Sequence, residues 1–478
     1  MNDSVRALAA ASCWLLIALN GATRADAAEP RVINDDGGWN WIEDPRVLLD
    51  HGVLIVGSAA AGAIEPARRG NIEVAAHDIA RGTTARSALH LQLFNDGLSI
   101  YDDHNSPSLV ELADGRLLAM YSAHNVAPQF YYRISLQPHD ATTWGDEQQF
   151  VPSATSKVTY PGLLRLSSER RVYNFFRGLD DRFKPSYAYS DDDGRSFVTG
   201  NVFIDVPGTV RQRPYVKYAG NGRDTVHMVY TQGHPRDFDN SLFHLIYRGG
   251  KLRQSNGKPV RRLRKGLSRP SEGTRIFRGD ADNVAWISDV ELDQNGHPVA
   301  VYSVQKNSAN LRPGQGGDDH RYRYARWTGS KWIDREIAFA GRRLYAGEDD
   351  YTGTIAIDPD DASLVYASTD VDPATGVPLI SSADGQRHYE IFEGATRDGG
   401  ASFTWTAVTH DSVADNIRPT MPPSDGTYRA LVWLRGTYRT YSDYELSVVA
   451  LAAPLGTRFG VPPLIARATP SMRPPRTD

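Results

Sequence analysis

A strand–turn–strand pattern recurs seven times along the 478-residue chain and limits the folds available to it. In each copy two short apolar runs flank a turn rich in Asp, Asn, Gly or Ser, and polar residues stand at the outer ends. Successive copies begin roughly 50 to 75 residues apart, a spacing that suits four-stranded blades. We therefore predict an all-β, seven-bladed β-propeller, with duplicated β-sandwich domains as the alternative. The seven copies span residues 39–60, 104–124, 160–177, 211–234, 286–303, 351–370 and 418–435.

Two short motifs support the propeller. Residues 190–197 and 396–403 share the form S/T-x-D-x-G-x-x-F, the Asp-box of sialidase-type propellers. In such a turn the Asp accepts backbone N–H groups, the Gly takes a positive φ, and the aromatic ring packs between strands. We assign these motifs a structural role and no chemistry. The basic stretch 253–278 lacks strand periodicity and is interpreted as a surface loop between the fourth and fifth blades.

The chain divides into three predicted segments. Residues 1–28 have an early Arg, a short apolar run and a small-residue cleavage motif, which together predict a secretory signal peptide. Residues 29–455 form the propeller, and residues 456–478 form a Pro- and Arg-rich tail. The single cysteine, Cys13, lies in the signal, so we expect no disulfide in a secreted or periplasmic mature protein. A lipoprotein anchor at Cys13 is disfavoured because Ala10 stands where such signals carry Leu.

The composition limits the classes of binding partner that we expect. A net charge of −4 with a pI near 6.4 does not favour nucleic acid or an anionic membrane as a partner. We expect a monomer that acts on an anionic polysaccharide or oligosaccharide. The histidines lack an H-x-x-x-H spacing, so we predict no catalytic metal and no required cofactor, although a structural divalent cation is compatible with such a fold.

The second hairpin directs attention to two histidines. Its turn is Asp114-Gly115, and His104 and His124 each lie ten residues from Asp114. Positions equidistant from the turn of an antiparallel hairpin lie side by side, so the two imidazoles should meet at the open edge. Paired imidazoles suit proton transfer more than core packing.

The same mirror rule applies to the next hairpins, whose open edges converge on one face of a propeller. It pairs Tyr160 with Arg177 in the third unit. In the fourth unit, centred near Gly222, it sets Arg211 and Arg213 against residues 231–234. We predict catalytic roles for His104, His124, Tyr160 and Arg177, and substrate binding by Arg211, Arg213, Tyr230, His234, Arg418 and Arg435, with Asp349 and Asp350 across the channel.

This set of residue types favours one reaction. The second to fourth units lack the close carboxylate pair of ordinary glycoside hydrolysis, and they lack a Ser nucleophile in an elbow. Arg, His and Tyr together suit β-elimination on a uronate: Arg neutralises the sugar carboxylate and acidifies the C5 proton, one side chain removes that proton, and another protonates O4. The residues leave open which His or Tyr is base and which is acid.

The segments DDHNSPSL…YSAHN, VTYPGLLRL…YNFFRG, RQRPYVKY…YTQGHP, EDDYTG and NIRP…WLRGTY resemble the BNR-4 repeat family over residues 37–451. That family includes secreted seven-bladed ulvan lyases, rhamnose–glucuronate lyases and related α-L-rhamnosidases. The resemblance implies that His104 and His124 are the paired catalytic histidines, and that Tyr160 and Arg177 are the active-site Tyr and the carboxylate-neutralising Arg. It also implies a further Tyr or Arg, for which Arg211, Arg213 and Tyr230 remain eligible.

Three functions follow as hypotheses. The first is a polysaccharide lyase that cleaves ulvan-like or rhamnose–glucuronate glycans by β-elimination. The second is an exo-α-L-rhamnosidase that hydrolyses the same kind of linkage. The third is a glycan-binding propeller without catalytic activity. Endo and exo cleavage are not distinguished by these residues.

Overall fold

Seven antiparallel sheets form the blades of a β-propeller in the computed structural model, which describes residues 29–94, 100–179, 183–205 and 212–460. The first strands of successive blades contact one another around the central axis. The predicted fold class is therefore confirmed. The predicted signal peptide with Cys13, the residue Arg211, and the tail beyond residue 460 lie outside the described residues.

The first three blades each contain four strands, and one strand of the last blade precedes them in the chain. Blade 1 is built from the second to fifth strands, blade 2 from the next four, and blade 3 from the four after those. The strands are β1 Arg31–Asn34, β2 Val47–Asp50, β3 Val53–Ala59, β4 Ile72–Asp78, β5 Thr83–His90, β6 Ser108–Glu111, β7 Leu117–Tyr121, β8 Phe130–Ile134, β9 Gln148–Phe150, β10 Thr159–Leu166, β11 Arg171–Gly178, β12 Lys184–Ser190 and β13 Val198–Val202.

Blade 4 has six strands, and blades 5 to 7 have four each. The strands of blade 4 are β14 Val216–Gly220, β15 Thr225–Thr231, β16 Leu242–Arg248, β17 Lys251–Arg253, β18 Pro259–Arg262 and β19 Thr274–Phe277. Those of blades 5 and 6 are β20 Asn283–Leu292, β21 Pro298–Lys306, β22 His320–Trp327, β23 Trp332–Gly341, β24 Ile355–Ile357, β25 Leu364–Thr369, β26 Glu390–Ala395 and β27 Thr404–Ala407. Blade 7 contains β28 Asp415–Thr420, β29 Tyr428–Thr440 and β30 Asp443–Pro454.

The seven predicted hairpins are the innermost strand pairs of the seven blades, from β2–β3 to β28–β29. Their strands read as short apolar runs because both faces of an inner blade strand are covered by neighbouring blades. All five residues of β7 are buried, for example. Leu118 and Met120 pack with Leu163 and Phe176 of blade 3 in one apolar cluster. Apolar contact between blades thus replaces a single central core.

The ring closes through the N-terminal strand. β1 pairs with β30, with Arg31 opposite Ala450, and forms the outer strand of blade 7. The two ends of the described chain therefore share one sheet, which leaves no unpaired gap between first and last blade.

The two Asp-boxes form the turns between the third and fourth strands of blades 3 and 6. Asp192 Oδ1 accepts the Ser196 N–H at 2.9 Å, and Gly194 N donates to Ser190 Oγ at 2.8 Å. The ring of Phe197 packs on Tyr132 of the preceding blade, with centroids 5.4 Å apart. The motif therefore also joins one blade to the next.

The expectation of a surface loop at residues 253–278 is wrong. β17 and β18 extend the sheet of blade 4, and β19 pairs with β16. The exposed faces of these strands carry the basic residues, which hides the two-residue period in the sequence. The helices in the described ranges are short 3₁₀ turns, at Pro66–Arg68, Asp103–Asn105, Pro235–Asp237, Leu263–Lys265 and Pro270–Glu272. None of the helices in these ranges has the length and apolarity that a membrane span requires.

Candidate active site

His104 and His124 meet at the open end of the blade 2 hairpin, with ring centroids 4.2 Å apart. The register explains this contact. Ser108 pairs with Met120, so the hairpin has the centre that the mirror rule assumed. The strands end before either histidine, and Asn105 bridges the remaining gap because its Oδ1 accepts the His124 N–H at 2.7 Å. The predicted juxtaposition of the two imidazoles is present.

His104 is held rigidly by its neighbours. Its Nδ1 lies 2.6 Å from Asp102 Oδ1 and 2.8 Å from Asp103 Oδ1. Burial lowers the pKa of His104, but the two carboxylates outweigh burial and raise that pKa to about 10. Asn40 Nδ2 lies 2.9 Å from His104 Nε2. Because its pKa is raised to about 10, His104 already carries its second proton at neutral pH, so it is better suited to position its neighbours than to accept a proton.

His124 has the opposite electrostatic character. Burial lowers the pKa of His124 well below its usual value, and the nearby charges of His104, Arg177 and Arg213 lower it further. Its Nδ1 lies 2.5 Å from Thr159 Oγ1, and Asn125 Nδ2 lies 2.7 Å from Nε2. The hydroxyl can accept from Nδ1–H while Nε2 keeps its lone pair. His124 is therefore a neutral imidazole at neutral pH.

Tyr160 and Arg177 lie in contact, although a bulge alters their predicted pairing. Arg177 pairs with Thr159, and the register shifts between Thr159 and Gly162. Tyr160 occupies this bulge with φ 58°, a left-handed conformation that is rare outside functional sites for such a residue. The bulge turns its ring towards the histidines, with centroids 5.4 Å from His104 and 5.3 Å from His124. Burial raises the pKa of Tyr160 well above its ordinary value, so its hydroxyl stays protonated.

Tyr215 is a site residue that the sequence reasoning missed. The guanidinium of Arg177 lies between two aromatic rings, 4.7 Å from the Tyr160 centroid and 4.5 Å from that of Tyr215. Burial raises the pKa of Tyr215, but hydrogen bonds and charge from Arg177 and Arg213 bring it below the ordinary value. The signal was available: Tyr215 N donates to Thr231 Oγ1, and these two residues mirror each other about residue 223.

His234 and Glu348 extend the site towards blades 4 and 5. His234 packs its ring 5.5 Å from Tyr215 and 4.9 Å from Trp286. Glu348 Oε2 lies 4.0 Å from His234 Nε2. Glu348 Oε1 forms an ion pair with Arg236 Nη1 at 3.0 Å. Burial raises the pKa of Glu348 to about 7. His234 was predicted from the sequence, whereas Glu348 was not.

Three of the residues predicted to bind substrate occupy other positions in the structure. Tyr230 is fully buried between blades 3 and 4, where its hydroxyl donates to Pro270 O at 2.7 Å. Arg418 is also buried and pairs with Asp103 beneath His104. Arg435 is exposed on β29, opposite Asn416, and none of the contacts in the described ranges joins it to the cluster. Arg211 lies outside the described residues.

The centre of the fourth hairpin differs from the prediction by one residue. Val216 pairs with Tyr230, so the hairpin is centred on residue 223 and not on Gly222. Moving the centre by one residue moves each pairing by two residues and leaves the faces of the strands unchanged. Tyr230 is buried because its face of β15 packs between blades 3 and 4, which the mirror rule does not address.

Asp349 and Asp350, in the loop between blades 5 and 6, have different environments. Asp349 forms an ion pair with Arg343 at 2.6 Å. Asp350 is buried, and burial together with the charges of Glu348 and Asp349 raises its pKa to about 8. Asp350 is therefore a neutral acid at neutral pH, placed beside Glu348 in a 230 Å³ cavity.

Asp102, His104 and His124 place donor atoms within 4.8 Å of one another, near enough to share a cation. The same atoms already take part in the hydrogen bonds described above. The absence of a catalytic metal stays a prediction, and no step below depends on one.

The chain is similar to one protein family and to several solved structures. The family described as BNR repeat-containing matches residues 67–340. An ulvan lyase of polysaccharide lyase family 25, solved with -[GlcA(1-4)Rha3S]- bound, superposes with a TM-score of 0.65 at 14% identity, covering 87% of this chain and 94% of the lyase. The polysaccharide lyase Uly1 gives a TM-score of 0.54 at 10% identity, covering 86% and 89%.

No curated protein matches the sequence. At such low identities the solved structures establish the shared fold alone. The family match spans more than half of the chain, from the middle of blade 1 to the end of blade 5. The chain therefore belongs to the BNR repeat-containing family.

Proposed function

We propose that this protein is a polysaccharide lyase that cleaves uronate-containing glycans by β-elimination. The observation that carries the proposal is the grouping of a guanidinium, a neutral imidazole and a protonated phenol, with the phenol ring beside the other two groups. Arg177, His124 and Tyr160 provide these groups. Groups whose environments push their pKa values apart are the usual mark of an acid and a base in one site.

Arg177 is suited to hold the uronate carboxylate. Its Nε and Nη1 are buried and have no hydrogen-bond partner among the described residues. Buried guanidinium donors are costly to leave unpaired, and a carboxylate oxygen can accept from such an N–H group. Charge neutralisation of the carboxylate stabilises the negative charge that develops when C5 loses its proton.

Proton transfer follows from the two pKa shifts. The neutral His124 removes the C5 proton, and Tyr160, which stays protonated, gives its proton to O4. The C4–O4 bond breaks as the C4–C5 double bond forms, so the products are a 4,5-unsaturated uronate and a free hydroxyl on the neighbouring sugar. His104, fixed by Asp102 and Asp103, keeps His124 in place and disfavours its protonation before reaction.

We infer a glycan in which a glucuronate or iduronate alternates with rhamnose. The ulvan lyase with a similar fold holds a glucuronate–rhamnose-sulfate repeat. The basic side chains of Arg177, Arg213 and Arg236 around this site suit an anionic chain. The predicted signal peptide places the enzyme outside the cytoplasm, as a polymeric substrate requires, and N-terminal sequencing of the mature protein tests that placement.

One observation favours a second candidate. Glu348 and Asp350 are adjacent carboxyl groups whose pKa values burial raises to about 7 and about 8. A neutral carboxylic acid is the proton donor of many glycoside hydrolases. The alternative function is therefore an α-L-rhamnosidase that uses these two carboxyl groups.

Product analysis separates these functions. Purified protein is incubated with ulvan and with rhamnose-capped glucuronan. A rise in the ultraviolet absorbance of unsaturated uronate supports the lyase, and His124→Ala and Arg177→Ala should abolish it. Free rhamnose without that absorbance supports the hydrolase, which should then depend on Glu348. Binding without either product indicates a glycan-binding propeller and overturns the proposal.

A further inference from the structure

The turns of blades 1 and 2 bring two histidines and a carboxylate together on the face opposite the catalytic cluster. Asp50 and His51 close the β2–β3 hairpin, and His139 lies in the loop between β8 and β9. Their donor atoms all lie within 4.8 Å of one another. β3 has seven residues, so about 20 Å of strand separates this cluster from the catalytic face.

Asp50 is the shared centre of the cluster. Its Oδ1 lies 2.5 Å from His51 Nδ1, and its Oδ2 lies 2.9 Å from His139 Nδ1. The two rings face each other with centroids 4.2 Å apart. Asp50 is buried at its side chain, whereas 71% of His51 and 41% of His139 side-chain surface is exposed. The carboxylate is therefore held within the protein, while the two imidazoles are open to solvent.

The backbone of neighbouring turns fixes this arrangement. His139 N donates to Gly115 O at 2.8 Å. A Cβ on Gly115 would lie 2.8 Å from His139 Nε2, so the ring packs against the glycine and directs Nδ1 towards Asp50. Gly52 N donates to Asp425 Oδ2 at 2.5 Å, which ties the blade 1 turn to blade 7. The cluster is thus held by turns of three blades before any ligand arrives.

The donor set determines which ligand fits. Two imidazole nitrogens and one carboxylate oxygen are typical zinc ligands, with water in the remaining position. Tetrahedral zinc with bonds of about 2.0–2.1 Å separates its donors by about 3.3 Å, and the three donor atoms here lie within 4.8 Å of one another. The carboxylates of Glu111 and Asp425 also act on His51 and make this surface attractive to a cation.

We propose that Asp50, His51 and His139 bind one zinc ion or a similar first-row divalent cation, which cross-links blade 1 to blade 2. The ion enters from solvent and binds both Nδ1 atoms. The proton that now joins each Nδ1 to Asp50 moves to Nε2 of the same ring, or to solvent where Nε2 already carries one. It binds the folded state alone, because the three donors come together only when the blades pack. The site is structural and lies apart from the catalytic cluster.

Zinc titration by calorimetry tests this site, with tag-free protein that has first been treated with a chelator. The variants are His51→Asn and His139→Asn, because Asn tolerates the positive φ of 49° and 57° at these positions. The control is His410→Asn, which removes an exposed imidazole that lies 3.1 Å from Asp411 without a second histidine. His124→Ala serves as a second control for the catalytic cluster.

We expect one high-affinity zinc ion per chain in the wild type and in both controls, and at least a tenfold loss of affinity in each of the two site variants. Saturating zinc should raise the Tm of the wild type by a few degrees, by mass action on the folded state, and should not raise that of the site variants. No zinc binding in the wild type, or equal binding in His51→Asn and His139→Asn, would overturn the proposal. Loss of binding in His124→Ala alone would also overturn it, by assigning the ion to the catalytic cluster.

Discussion

Arg418 and Asp103 form a fully buried ion pair, with Arg418 Nη1 2.5 Å from Asp103 Oδ2. The pair joins the inner strand of blade 7 to the loop that carries His104, and Asp103 Oδ1 lies 2.8 Å from His104 Nδ1. Tyr438 adds a hydrogen bond to Asp103 Oδ2 at 2.8 Å. Burial raises the pKa of Asp103, but Arg418 and His104 outweigh it and hold that pKa at about 2. An arginine predicted to bind substrate therefore supports His104 from below.

Arg418→Met should destabilise the fold by about 3–5 kcal/mol, because it leaves Asp103 as a buried charge without its partner. Urea denaturation measures this change. Arg435→Met, at an exposed position on the same blade, is the matched control and should change the free energy of unfolding by less than about 0.5 kcal/mol. Equal stabilities for the two variants would show that the pair does not support the site.

Arg177→Ala should lower kcat/KM by roughly 10²–10³, the usual cost of losing one donor to a developing negative charge. The unsaturated product measures the rate, and circular dichroism checks the fold. Arg177→Lys keeps the charge but not the planar group stacked between Tyr160 and Tyr215, so we expect an intermediate rate. Full activity in Arg177→Ala would remove the proposed mechanism.

The pH dependence of kcat/KM should reveal Tyr215. Because Arg177 and Arg213 hold the pKa of Tyr215 below its ordinary value, rising pH ionises this phenol first. The resulting phenolate competes with the substrate carboxylate for Arg177, so activity should fall as pH rises through that pKa. Tyr215→Phe should move the alkaline limb to higher pH while keeping most of the rate near neutrality.

The opposite profile would reassign the base. A rate that increases with Tyr215 ionisation, and that disappears in Tyr215→Phe, would make Tyr215 rather than His124 the group that removes the C5 proton. Measurements between about pH 5 and 10 distinguish the two cases.

Asp350 should make the fold less stable as pH rises. Its pKa is raised to about 8 in the folded state, so the stability it contributes is fully present below the pKa of an aspartate in the unfolded chain and is lost as pH rises through about 8. Asp350→Asn keeps the neutral form and should stabilise the protein at pH 7, by at most on the order of 4 kcal/mol. Asp146→Asn, at an exposed site, is the matched control and should change the free energy of unfolding by less than about 0.5 kcal/mol.

Tyr441 should contribute to sugar binding. It lies at the tip of the β29–β30 turn, 39% exposed, with its ring 5.2 Å from that of His104. An exposed ring beside the catalytic cluster can stack on a sugar face. Tyr441→Ala should raise KM by roughly three- to tenfold with little change in kcat, while Tyr441→Phe should resemble the wild type. A loss confined to kcat would contradict this role.

The mirror rule for hairpins predicted much of the site, and each of its errors concerns a single hairpin. The rule found His104 and His124 because the blade 2 hairpin is regular from Ser108 to Met120. In blade 3 a bulge shifts the pairing by one residue, and the strained φ of Tyr160 brings the ring back to the site. Turn composition does not reveal such a bulge. In blade 4 the rule assigned Tyr230 to the site, whereas that ring packs between blades 3 and 4, and the rule missed Tyr215.

The sequence by itself determined the number of blades, the face on which the site lies, and the pairing of the two histidines, because hairpins form between residues close in the chain. Closure of the ring decided the rest. It brought Arg418 to Asp103 across 315 residues, set Tyr215 against Arg177, and placed Glu348 beside His234. Contacts between blades depend on how whole sheets pack around the axis, and no local pattern of residues encodes that packing.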